Sequence, residues 1–258
     1  MVFKKMTIET NNKEQVRGKK VLLFSCGMDC LCLNQIYKPD ILLHINYGGV
    51  YGEQEKKSLN NLIKCKAIKK DKVISVDIGK WLGLRERDDL IIPSRNIYFV
   101  TLAADYGETI WLASVRGDRS FDKDNKFYEL MTTLLNHTWD QQHWTEKRVF
   151  NISSPIKHLT KTELIKEYLK AGGKKKWLLE SYSCYSGKDK PCGKCKPCFR
   201  KAVALFNTEV RLPKGYFLEN PRKNEGIISM KEKIVKGKYR GIEDREICDY
   251  MRWNYIGK

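Results

Sequence analysis

Short apolar runs alternate with stretches of helical periodicity up to about residue 173, and this alternation restricts the fold more than any other feature of the chain. Val21-Leu22-Leu23-Phe24 is a run short enough to be a buried strand. It is followed by a turn at Ser25-Cys26-Gly27 and a helix opening near Asp29, with Leu31, Leu33 and Ile36 on its apolar stripe. Further strands are expected over residues 41–47, 73–78, 109–115 and 149–152, and helices over 53–68, 95–106, 127–137 and 160–171, the last stopped by Gly172-Gly173. Strands that are apolar at every position, not at every second one, must be buried on both faces. The expected class is therefore α/β, a doubly wound, mostly parallel sheet covered by helices on both sides.

Beyond residue 173 the pattern changes. Lys174-Lys175-Lys176 is followed by a cysteine cluster and a helix expected over 198–206, then by a polar tail with little periodicity, in which Trp253, Tyr255 and Ile256 argue against disorder. The expected organisation is a nucleotide-binding α/β domain over 1–175, a small zinc-binding helical region over 176–210 and a basic extension over 211–258.

Forty-nine Lys and Arg against 31 Asp and Glu give a formal charge of +18. That field attracts polyanions, nucleotides or acidic membranes without choosing among them. No apolar run approaches the roughly 18 residues of a membrane span, and the start of the chain has no secretory pattern, so a cytoplasmic protein without membrane contact is expected. In a reducing compartment the nine cysteines read as metal ligands or catalysts and not as a disulfide framework.

Four of them, Cys184, Cys192, Cys195 and Cys198, follow a C-x7-C-x2-C-x2-C spacing. Four thiolates close a tetrahedral zinc shell and leave no open position, which describes a structural ion; an iron–sulfur cluster shares the ligand set. Cys32 and Cys65 lie in helical patterns and read as core, and Cys248 carries no reading.

At the end of the first strand, Phe24-Ser25-Cys26-Gly27-Met28-Asp29-Cys30 occupies the usual ligand crevice of an open parallel sheet. It lacks the three spaced glycines of a dinucleotide fingerprint, and no GxxxxGK[ST] occurs in the chain. It resembles the pyrophosphatase loop, S-G-G-x-D-S, of enzymes that cleave ATP to AMP and pyrophosphate. The resemblance implies ATP binding by Phe24, Ser25, Cys26, Gly27, Met28, Asp29 and Cys30, with Asp29 assisting a metal. Cys26 stands where that loop has its first glycine, which costs on the order of 1 kcal/mol if φ is positive there and narrows the approach to phosphate. Cys30 replaces its second serine, and a thiol is a weaker hydrogen-bonding group than a hydroxyl.

Together with this loop, three segments complete a wider resemblance: Ile92-Pro93-Ser94-Arg95-Asn96, Pro155-Ile156-Lys157-His158-Leu159-Thr160-Lys161-Thr162-Glu163, and Ser183-Cys184-Tyr185 through Cys198-Phe199-Arg200. In this order, over about residues 21–206, the chain resembles the 7-cyano-7-deazaguanine synthase (QueC) family. The resemblance implies an adenine nucleotide alpha hydrolase-like (PP-loop) fold and an ATP-dependent ligase. Such an enzyme converts 7-carboxy-7-deazaguanine and ammonia to the 7-cyano product through an adenylated acid and an amide, using Mg2+ with ATP and a structural Zn2+. It also implies catalytic roles for Lys161, Asp29 and Arg95, substrate contacts by Arg95, Asn96 and, in a loop shorter than the family's, Asp124, and a homodimer. Three alternatives stay open: a variant stopping at the amide, a sulfur-transfer relative using Cys26 and Cys30, and a nucleic-acid-binding relative with an altered loop. Basic residues around 174–176 and 188–201, interleaved with Trp177, Tyr182 and Tyr185, suit nucleic acid without requiring it.

Overall fold

The chain, described over residues 16–257 by a computed structural model, pairs its apolar runs as five parallel strands. Most of the polar, basic segment 1–20 lies outside the described residues. The strands are β1 (Lys20–Leu23), β2 (Ile41–Asn46), β3 (Val73–Asp77), β4 (Thr109–Trp111) and β5 (Asn151–Ser153). They lie in the order β3-β2-β1-β4-β5, with Val21 of β1 level with Ile41 on one side and Ile110 on the other.

Alternate side chains of the central strands β1, β2 and β4 enter two separate cores. Leu22, Leu42 and Trp111 pack with Leu31 and Leu33 of α1 (Met28–Tyr37), Leu59 and Leu62 of α2 (Gly52–Lys64) and Leu164 and Ile165 of α5 (Lys161–Lys170). Val21, Leu43, Ile110 and Ile152 pack instead with Val100 and Ala103 of α3 (Arg95–Ala103) and Phe127, Met131 and Leu135 of α4 (Asn125–Thr138). The period of two along a strand thus produces three layers, which explains why the central strands β1 and β2 are largely apolar while the edge strands β3 and β5 carry polar residues. The fold is α/β and doubly wound. Strand order reverses between β1 and β4, so a crevice opens at their carboxyl ends.

The fourth strand is shorter than its apolar run suggests. It ends at Trp111 because the chain turns, with Ser114 N donating to the Leu112 carbonyl at 3.0 Å. α5 begins at a capping box in which Thr160 Oγ1 accepts from Glu163 N and Glu163 bonds back to Thr160 N. Thr160 is fully buried and its hydroxyl also donates to Glu246 at 2.9 Å. Thr160→Ala removes both interactions and is expected to cost about 1–2 kcal/mol. Urea unfolding checks this; an unchanged midpoint contradicts it.

The region after residue 173 carries α6 (Lys175–Glu180), α7 (Lys196–Phe206), α8 (Glu225–Ile228), α9 (Lys231–Val235) and α10 (Ile242–Met251). Phe199, Ala202 and Val203 of α7 share a core with Ile227, Ile234, Ile247, Cys248 and Tyr250. The tail is therefore ordered through 257, and Cys248 is a core residue. Its helices escape periodicity because α8 and α9 are very short and α10 buries Glu243 and Asp244 beside its apolar residues. Asp244 accepts from the Tyr239 and Arg240 amides at 2.8 and 2.9 Å, and Glu243 pairs with Arg200 at 2.9 Å. Among the described residues no helix is long and apolar enough to cross a membrane.

Candidate active site

The crevice at the switch point is a cavity of about 390 Å3. Its floor is the β1–α1 turn, where Ser25, Gly27, Met28, Asp29 and Cys30 all line the space. The first amides of α1 have no intrahelical acceptors and its dipole is positive there, so the turn suits an anion. Ser183 adds a hydroxyl 3.4 Å from Met28 N.

Cys26 adopts φ +59°, the left-handed conformation that glycine takes most easily. This is why glycine is expected at the position. The outcome for the thiol differs from the expectation that it narrows the approach to phosphate. Positive φ turns the side chain into the core, where it is fully buried with Sγ 3.8 Å from His44 Nδ1, and it is not among the cavity's lining residues. Its carbonyl accepts from Tyr182 N at 3.0 Å and Ser58 Oγ at 3.4 Å, contacts that hold the strained turn in place. Cys30 does face the cavity, 3.4 Å from Ser25 Oγ, and burial pushes its thiol up to about 11. Burial likewise raises Cys26. Neither is a thiolate at neutral pH, so no observation favours the sulfur-transfer reading.

Lys161, the first residue of α5, reaches across the crevice to form an ion pair with Asp29 Oδ2. Asp29 Oδ1 is buried without a hydrogen-bond partner among the described residues. Close by, Asp118 accepts from Arg200 at 2.6 Å and Lys123 at 3.0 Å. Burial alone would raise its carboxyl, but Lys123, Lys161 and Arg200 hold it well below the usual carboxylate range. Arg240 also lines the cavity, donating to the Gly117 carbonyl at 2.8 Å. The tail beyond residue 210 thus contributes to the site directly through Arg240. Glu243 braces Arg200, and Glu246 accepts from Thr160 and Thr162 beside Lys161 at 2.9 and 2.6 Å.

The remaining cavity wall is aromatic. The buried Arg95 guanidinium donates to Tyr51 Oη at 3.0 Å and Tyr47 Oη at 3.4 Å and lies 5.7 Å from the Tyr47 ring centre. Tyr185 stacks on Tyr51 at 5.8 Å. Asn96 lines the cavity while its amide donates to Asp122 at 2.8 Å. Asp124 is placed differently from the other candidates: it is the N-cap of α4, accepting from Phe127 N at 2.8 Å, and does not line the cavity. Sequence reasoning missed Asp118, Arg200, Arg240 and Glu55. Arg200 alone had a signal, lying two residues past the last cysteine of the cluster.

The four cysteines converge, with their sulfurs all within 4.8 Å of one another and Cys195 Sγ 3.9 Å from Cys184 Sγ. Ligands about 2.3 Å from zinc at tetrahedral angles lie about 3.8 Å apart, so the set fits that ion. Amides of Ser186 and Cys192 point at Cys184 Sγ at 3.3 and 3.2 Å, and that of Cys195 at Cys192 Sγ at 3.4 Å, which suits thiolates. Gly193 has φ +83°, and a Cβ there would fall 1.9 Å from the Glu219 carbonyl oxygen, so no other residue fits the knuckle. Cys195 caps α7 and Cys198 lies in its first turn. The cluster therefore aims Arg200 and Lys201, both cavity residues, from a fixed helix start. Lys201 Nζ is itself held by the Ser181 carbonyl at 2.6 Å and Tyr216 Oη at 2.8 Å.

The family model described as Queuosine biosynthesis protein QueC matches residues 19–209. Among curated proteins, the 7-cyano-7-deazaguanine synthase of Methanobrevibacter smithii is 28% identical over 77% of this chain and 97% of its own length. Synthases of the same name from Prochlorococcus marinus and Nostoc punctiforme are each 28% identical, over 69% and 73% of this chain and 89% and 94% of theirs.

Proposed function

The chain belongs to the QueC family of queuosine biosynthesis proteins, and from that premise we propose that it is an ATP-dependent 7-cyano-7-deazaguanine synthase that takes 7-carboxy-7-deazaguanine through an adenylate and an amide. The observation that carries this reading is the single cavity in which the β1–α1 turn, the Lys161 and Asp29 pair and a cationic wall lie beside an aromatic slot. On this reading a substrate carboxylate oxygen attacks the α-phosphorus of ATP and pyrophosphate leaves. Ammonia then displaces AMP to give the amide. The amide oxygen then attacks the α-phosphorus of a second ATP, releasing a second pyrophosphate, and loss of that AMP with two protons leaves the nitrile, so both carboxylate oxygens depart on AMP.

The residues suit these steps. Amides of the turn, with Ser25 and Lys161, offset the charge that develops as pyrophosphate departs, while Arg200 and Arg240 add positive potential. The unpartnered Asp29 oxygen fits a magnesium ion accompanying ATP, which when bound would neutralise phosphate charge. Arg95 and Asn96 would contact the acid substrate. We assign nucleotide binding to 1–175, the zinc site to 176–210 and bracing of the cavity to the extension 211–258. Ile97 of α3 and Leu130 and Leu134 of α4 are exposed on neighbouring helices and support a homodimer, which a solution mass measurement checks.

Mass spectrometry of product from purified protein, the acid, ATP and ammonium is the test. The nitrile with two AMP per turnover supports the proposal. Accumulation of the amide limits the enzyme to one activation, and unchanged acid overturns the reading.

A further inference from the structure

Glu55 of α2 is nine-tenths buried and lines the cavity, and its side-chain carboxylate makes no hydrogen bond or ion pair with the described residues. A carboxyl group so placed is costly unless a ligand satisfies it. The titratable groups near it are Arg95 from α3, Glu86 from the loop after β3, Tyr47, and the thiols of Cys26 and Cys30 from the β1–α1 turn, while its own amide donates to the Tyr51 carbonyl. Arg95 attracts the carboxylate form and Glu86 repels it, while desolvation dominates and pushes Glu55 up to about 8. Arg95 Nε is also buried without a partner. A carboxylate without a protein partner and a guanidinium with one unpartnered nitrogen thus line one slot walled by Tyr47, Tyr51 and Tyr185.

We propose that Glu55 is the specificity residue that reads the donor edge of a planar 2-amino-4-oxo-pyrimidine ring, its two carboxylate oxygens accepting from the ring N–H and the exocyclic amine. The proposal rests on the synthase reading above and assigns the base-recognition contact within it. A ring stacked between aromatic walls exposes its edge in the plane where a carboxylate accepts two parallel N–H bonds. A site built this way rejects an analogue lacking the amine, because the buried oxygen is then left unpaired. Arg95, which lines the same cavity, supplies the donor that the ring's acceptor atoms require.

Proton linkage follows in sign. Free Glu55 holds a proton below about 8, and the bound form requires the carboxylate, so binding releases a proton and affinity rises from pH 6 to pH 8. Burial raises Cys26, Cys30 and Tyr47, away from this window, and lowers His44, toward its acid side.

Calorimetric binding of 7-carboxy-7-deazaguanine and of its analogue without the 2-amino group, with turnover measured in parallel, tests the assignment. The wild type is expected to prefer the amino compound by at least tenfold and to release a proton at pH 7. Glu55→Gln is expected to lose that preference, the proton release and the pH dependence, with KM for the acid raised at least tenfold and KM for ATP within twofold. Glu55→Asp, which keeps the charge but retracts it, should restore part of the preference. A Gln variant that folds with the wild-type melting temperature and keeps the preference overturns the assignment, as does a rise confined to the KM for ATP. A wild type that binds neither compound overturns the synthase reading itself.

Discussion

Removing the metal from the Cys184, Cys192, Cys195 and Cys198 site, or replacing Cys198 with Ser, is expected to lower the melting temperature by more than about 10 °C and to abolish turnover. The segment around the site has little else to hold it. Its local core consists of the cysteines themselves with Tyr51 and Tyr182 and the half-buried Phe217, and without an ion four close thiols replace four metal bonds. Structural zinc contributes on the order of 10 kcal/mol or more to small domains that depend on it, and a loss of even 3–5 kcal/mol moves a chain of this size by roughly 10 °C. Activity falls with stability because α7 starts on Cys195 and carries Arg200 and Lys201 into the cavity. Metal analysis, thermal melts followed by circular dichroism and restoration by added Zn2+ check this together. A metal-free protein melting at the wild-type temperature would contradict the structural role.

Lys161→Met is expected to reduce kcat/KM by about 100- to 1,000-fold, the usual effect of losing one preorganised group that stabilises developing negative charge. The lysine is largely buried and, among the described residues, pairs with Asp29 alone, so its removal also leaves that acid uncompensated and lowers stability. Lys161→Arg and the double variant Lys161→Met with Asp29→Asn separate the two effects. If the charge acts on the reaction, arginine restores part of the rate, whereas the double variant recovers stability and stays slow. A double variant that regains both stability and rate would show that the lysine only neutralises Asp29.

The strand and helix order was legible because the central parallel strands are apolar on both sides and each covering helix carries one apolar stripe, and both are periodicities of neighbouring residues. The four-cysteine cluster was legible because the spacing of its members is short. Cys26 was legible only in part. Its position predicts a strained φ, which the structure shows, but the direction of the thiol depends on His44 and on the contacts of Tyr182 and Ser58 with its carbonyl.

Asp118 and Arg200 are 82 residues apart, and Arg200 and Glu243 are 43 apart. Neither pair leaves a local pattern, since a single charged residue looks like any solvated one until its partner is known. The same reasoning covers α10, whose buried acids hide its periodicity, and Asp124, whose acidity serves a helix cap instead of the cavity. The sequence by itself determined the doubly wound sheet, the β1–α1 turn at its crevice and the four-cysteine cluster, because these arise from residue spacing along the chain. Only the tertiary structure decided which charges meet: that Lys161 pairs with Asp29, that the C-terminal helix braces Arg200, and that Glu55 faces the cavity alone. Those outcomes depend on burial, where the cost of desolvating a charge forces it to find a partner, protein or ligand, at a distance no linear pattern records.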